Sequence, residues 1–117
     1  MGKIYTSYFG NLHKIREKGI VPISIALFPP KWYAGEELRE LTPDGTLFIA
    51  FKEMLIPEER FMRFYEYKIK QLGKEKIMQM IEDKAKGRDV ALLCFEHPDC
   101  ACHRHTLAKF LDIEEFK

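Results

Sequence analysis

Between positions 94 and 105 the chain gathers Cys94, Glu96, His97, Cys100, Cys102, His103, Arg104 and His105. Thiolates attack or ligate, imidazoles and carboxylates move protons, and a guanidinium forks onto phosphate or carboxylate. Three chemistries compete for such a cluster. In the first, Cys94 or Cys102 is a nucleophile, Glu96 or His103 handles a proton, and Arg104 clamps an oxyanion. Cys94 and Arg104 enclose nine residues, wider than the phosphatase loop, and Pro98 removes one amide donor. In the second, Cys94, His97, Cys100, Cys102, His103 and His105 supply zinc ligands, although the spacing does not give two C-x2-C pairs. In the third, the residues hold an anion without chemistry, and Lys31, Trp32 and Tyr33 approach with a charge and a stacking face. Against all three stands a plain structural account, in which Cys94 fills core, the histidines cap a helix and Trp32 plugs one end of the fold.

The elements around the cluster give these residues a common place. Asp89 to Phe95 is a short apolar run typical of a buried parallel strand, and strand parity puts Cys94 and Glu96 on one side. A helix begins near Cys102 and is expected to continue through Phe116, with Leu107, Phe110 and Leu111 inward. Amides at a helix start lower a thiol's pKa and attract anions, which favours Cys102 and Arg104 as working groups. A strand tip followed by a helix start is where open α/β sheets place ligands.

Upstream, Lys3 to Phe9 reads as strand one and Asn11 to Lys18 as a short helix, with Asn11 a possible N-cap. Ile20 to Leu27 reads as a second buried strand, and Pro22 belongs at a strand start or edge. Phe28 to Gly45 is irregular, with one short helix near Glu36 to Leu41 and a closing Pro-Asp-Gly turn. Pro57, Glu58 and Glu59 open a helix whose apolar stripe runs Phe61, Tyr65, Ile69, Leu72 to Gly73. Ile77, Met80, Ile81 and Ala85 mark another. Strands alternating with helices predict a three-layer α/β domain over 1–117, with a small, mostly parallel sheet flanked by helices.

Composition narrows the partners. The chain has 117 residues, 46% hydrophobic and 32% charged, which fits one ordinary folded domain. A net charge of +1 offers no global attraction to nucleic acid or an anionic membrane. Arg60 to Lys76 holds six basic and two acidic residues, but apolar positions interleave them, so it reads as a solvated helix face. No secretion signal or span of about 20 apolar residues is present, so a cytoplasmic location without membrane contact is expected. In that compartment the three cysteines read as filler, thiolate or ligand rather than as a staple.

ALLCFEHPDCACHRHTLAKFL (Ala91 to Leu111) resembles the signature of the DUF488 family, in which a strand ending in L-L-C-x-E leads through a variable loop to C-H-R at a helix start. PISIALFPPKWYAG (Pro22 to Gly35) and IYTSYF (Ile4 to Phe9) resemble the family's phage-associated and bacterial branch. The resemblance implies an α/β fold and carries Cys94, Glu96, Cys102, His103 and Arg104 into a candidate site, with Lys31, Trp32 and Tyr33 opposite. Cys100 and His105 fall outside its core pattern, which weakens zinc more than anion binding. The expected function is a small hydrolase or transferase acting on a nucleotide-like or other anionic substrate. The alternative is a non-catalytic module binding phosphorylated ligands or nucleic acid. Oligomeric state is left open.

Overall fold

The computed structural model describes residues 2–94 and 103–116. Among them, β1 (Ile4–Tyr8), β2 (Val21–Ser24), β3 (Glu36–Glu37), β4 (Val90–Cys94) and β5 (Glu114–Glu115) form one sheet in the order β3-β2-β4-β1-β5. Every pairing is parallel, so all the carboxyl ends lie along one edge. β4 sits at the centre with all five residues buried, which is why its side chains read as an unbroken apolar run.

Alternation along the central strands builds two cores. Val90 and Leu92 of β4 join Ile23 and Ile25 against α3 (Glu58–Leu72), α4 (Lys74–Ala85) and α5 (His103–Leu111), through residues such as Ile69, Ile81 and Leu107. Ala91 and Leu93 turn the other way, to Phe9, Leu12 and Ile15 beside α1 (Leu12–Glu17). The result is the expected three layers, a parallel sheet flanked by helices. Between α3 and α4, Gly73 has φ +86°, a conformation that a Cβ makes costly.

Pro22 lies inside β2 rather than at its end. Val21 and Ile25 give their amides to Asp89 and Leu93 on the β4 side, so the alternate residue Pro22 points its missing donor toward β3. β3 begins its pairing only at Ile23, so no ladder bond is lost.

Four local expectations are corrected. Glu36 to Leu41 is not a helix: Glu36–Glu37 pair with β2, the Leu38 amide donates to Ser24, and only a single turn follows at Arg39–Leu41. The Pro-Asp-Gly segment is not a closing turn but a helix start, since the Asp44 carboxylate accepts the Leu47 amide at 3.0 Å and α2 (Gly45–Lys52) follows. The last helix stops at Leu111, where Asp112 takes φ +57°, and β5 then pairs with Tyr5 and Thr6 of β1. Asn11 does not cap α1; its amide instead donates to Ser7 Oγ and to the Phe116 carbonyl, both at 3.2 Å, which ties the chain end to β1.

Ile23 is fully buried in the larger core, whereas Leu55 is 72% exposed. Ile23→Ala is expected to lower unfolding free energy by about 2–5 kcal/mol. Leu55→Ala should change it by no more than about 0.5 kcal/mol. Urea titrations of both variants check the assignment, and equal losses would contradict it.

Candidate functional site

The parallel register brings Tyr8 of β1 level with Cys94 of β4, and Ser24 of β2 level with Leu93. The Ile25 amide donates to Leu93 at 2.9 Å, which carries the β2–β4 ladder one residue further and leaves the Ile25 carbonyl at the carboxyl edge. The first turn of α5 is plugged into that edge. His103 Nε2 lies 2.7 Å from the Ile25 carbonyl oxygen, and its Nδ1 lies 3.6 Å from Cys94 Sγ. A carbonyl oxygen can only accept, so Nε2 carries the proton and Nδ1 presents its lone pair to the sulfur. Tyr65 of α3 packs edge-on against the imidazole, with centroids 4.9 Å apart, and donates its hydroxyl to the Leu41 carbonyl at 2.7 Å.

Burial decides the charge state of this turn. His103 is 5% exposed, and desolvation pulls its pKa down from 6.5 to about 4. The bond to Ile25 opposes that shift, while the Arg104 charge adds to it. The imidazole is therefore neutral at physiological pH, a proton acceptor at Nδ1. Burial likewise raises the pKa of Tyr65, whose hydroxyl stays protonated as a donor. Arg104 is fully buried, and its guanidinium carbon stands 5.8 Å from the Tyr8 ring centroid in a cation–π arrangement.

Cys94 is disulfide-bonded, which corrects the expectation that the cysteines serve only as filler, thiolate or ligand. A bridged sulfur has no thiol with which to attack. Glu96, His97, Cys100 and Cys102 lie outside the described residues. Among the described residues no group of three or more His, Cys, Asp and Glu side chains is placed to hold a metal ion.

Of the expected site residues, Cys94, His103 and Arg104 come together on one face of the sheet. Lys31, Trp32 and Tyr33 do not join them. Tyr33 packs with the smaller core on the opposite face, edge-on to Phe9 at 5.1 Å, and its hydroxyl lies 2.8 Å from the Glu36 carbonyl and 3.3 Å from that of Pro22. Burial pushes its pKa up to about 12, so it is a neutral strut holding β3 to the start of β2. Trp32, 63% exposed, meets Phe9 edge-on at 6.4 Å, and Lys31 is exposed. Three contributors were not singled out from the sequence: Tyr8, Tyr65 and the Ile25 carbonyl. Tyr65 was visible only as one member of an apolar stripe, and a backbone carbonyl leaves no sequence signal.

The family model described as the active DUF488-N3 subclade, DUF488-N3a, matches residues 12–115. Comparison with curated proteins and with solved structures gives no match. The chain belongs to the DUF488 family.

A histidine whose pKa is lowered by folding makes stability depend on acid in a defined window. Between about 4 and 6.5 the unfolded chain binds the proton that the folded chain refuses, so His103 makes stability rise with pH there and level off above it. Thermal midpoints measured across pH 4 to 8 are expected to fall on the acid side. His103→Gln, whose amide can still donate to Ile25, should flatten part of that fall. An identical slope in the variant would contradict the assignment.

Proposed function

We propose, taking DUF488 membership as the premise, that the chain is a small hydrolase or transferase acting on a nucleotide-like or otherwise anionic substrate. The observation that carries this reading is the pairing, in one helical turn, of a neutral imidazole lone pair with a buried guanidinium at the carboxyl edge of a parallel sheet. That edge is the usual ligand position of open α/β sheets. Arg104 would bind the negative charge and His103 Nδ1 would accept a proton from the attacking group. Glu96 is a second candidate for the proton, and Cys94 or Cys102, when reduced, for the nucleophile. The family description of an active subclade agrees with chemistry at the site.

Because Arg104 and His103 are buried, substrate would reach them only through a local rearrangement around the sheet edge. Binding is thus expected to loosen the Tyr8–Arg104 stack. A second reading, a non-catalytic module for phosphorylated ligands or nucleic acid, is favoured by the bridged state of Cys94, which leaves charge recognition as the chemistry immediately at hand.

Reduced protein assayed against a panel of nucleotides and phosphorylated small molecules separates the two. Turnover is expected to fall roughly 10²–10⁴-fold in His103→Gln, the usual scale for losing a positioned proton acceptor. Arg104→Ala should abolish binding as well. Turnover equal to the parent protein in both folded variants would overturn the catalytic reading. Binding without turnover that survives His103→Gln and is lost in Arg104→Ala would establish the second.

A further inference from the structure

We propose that the outer face of α2 and α3 is the contact between two copies of this chain, related by a two-fold axis with their α3 helices antiparallel. α2 carries Leu47, Phe48, Ile49, Ala50 and Phe51 in succession, yet none of its eight residues is buried. A helix apolar on every side belongs inside a core. Phe48 and Phe51 rest on Phe61 of α3, with ring centroids 6.2 and 4.8 Å away, and Ile49 stays 51% exposed. The second copy supplies the cover that one copy lacks.

The apolar surface runs on from α2 in both directions. Phe28 meets Phe48 edge-on at 6.2 Å, and Leu47 shares a groove with Phe61 and Phe64 of α3. Phe28, Ile49, Met54, Leu55, Phe64 and Tyr67 are each 45–90% exposed. Together they leave on the order of 700 Å² open, more than the largest patch of a typical monomer and close to the ~800 Å² that each partner gives a standard interface. Met54 and Leu55 follow α2 in the connector and form the rim, where truncation costs little.

The α3 part of this surface is complementary to itself. Arg60, Phe64, Tyr67 and Gln71 are all exposed and follow one another at the four-three-four spacing of a helix-pairing row, beside the buried row of Phe61, Tyr65 and Ile69. With two such rows antiparallel about an axis beside Phe64, Arg60 of each copy lies against the Tyr67 ring of the other, a cation–π pair made twice. The flanking charges are already matched within the helix, Glu59 with Arg63 at 3.2 Å and Glu66 with Lys70 at 2.8 Å. Between positions 52 and 63 three basic residues stand against three acidic ones, so the face lacks the basic excess that an anionic lipid surface would select.

Sedimentation equilibrium of the full chain over a range of concentrations tests this. A species of twice the 13.8 kDa chain mass is expected, dissociating at micromolar concentrations or below. Phe64→Glu and Ile49→Lys, both at exposed positions, should each weaken association by about 30-fold or more, with circular dichroism unchanged. Trp32→Ser, at a comparably exposed position away from this face, should leave it intact. Arg60→Glu alone should weaken the pair, and Arg60→Glu combined with Tyr67→Lys should restore it, because each new carboxylate then faces a lysine of the other copy. A monomer at every concentration would overturn the proposal, and one that sediments with vesicles of phosphatidylcholine and phosphatidylserine would give the face to lipid instead. A dimer untouched by Phe64→Glu and Ile49→Lys, or lost equally in Trp32→Ser, would overturn the assignment to this face. Failure of the combined variant to recover would overturn the antiparallel arrangement. None of these readouts involves the anionic substrate or the turn at His103.

Discussion

A single hydrogen bond, from His103 Nε2 to the carbonyl of Ile25, fixes the arrangement on which the site depends. It anchors the first turn of α5 to the carboxyl edge of the sheet and selects the imidazole tautomer. It also aims the remaining lone pair at Cys94. Burial then does the rest by keeping the ring neutral, and the edge-on Tyr65 ring closes the side facing α3. Without this bond a desolvated imidazole would have little reason to stay between two strands, since an unpaired buried polar group is costly.

The bond is available only because the sheet is parallel and its strands end nearly level. Tyr8 stands opposite Cys94, and the β2–β4 ladder runs to Ile25, so three strand tips converge on one helical turn. Arg104 follows His103 directly and covers the Tyr8 ring, which places a buried cation and a neutral acceptor side by side. The opposite face carries a different kind of order. There Ser7 and Asn11 hold the Phe116 carbonyl, and Tyr33 braces β3, so that face supports the sheet rather than the chemistry.

Much of this was legible in the sequence where burial leaves a periodic mark. Val90 to Cys94 shows because both faces are covered, and Phe61, Tyr65 and Ile69 show because one stripe of α3 is covered. The elements that escaped leave no such mark. Glu36–Glu37 and Glu114–Glu115 are two-residue edge strands made of charged residues, paired to the sheet through the backbone and carrying no apolar alternation. None of α2's residues is buried, so its apolar side chains form no stripe. For the site, residue types marked Cys94, His103 and Arg104, and helix-start position agreed with them. The opposing place given to Lys31, Trp32 and Tyr33 could not be checked from sequence, because which face of a sheet a loop covers is decided by tertiary packing. The bridge at Cys94 was hidden for a related reason, since composition speaks to compartment and not to sulfur geometry.

The central claim is that His103 is a neutral, Nε2-protonated imidazole locked against the Ile25 carbonyl. Long-range proton–nitrogen NMR correlation of the histidine side chains across pH 5 to 8 reads this directly. For His103 the account predicts a protonated Nε2 and a pyridine-like Nδ1, with shifts that stay constant through that range because the group titrates near pH 4. A proton on Nδ1, or a titration midpoint near the ordinary 6.5, would contradict it.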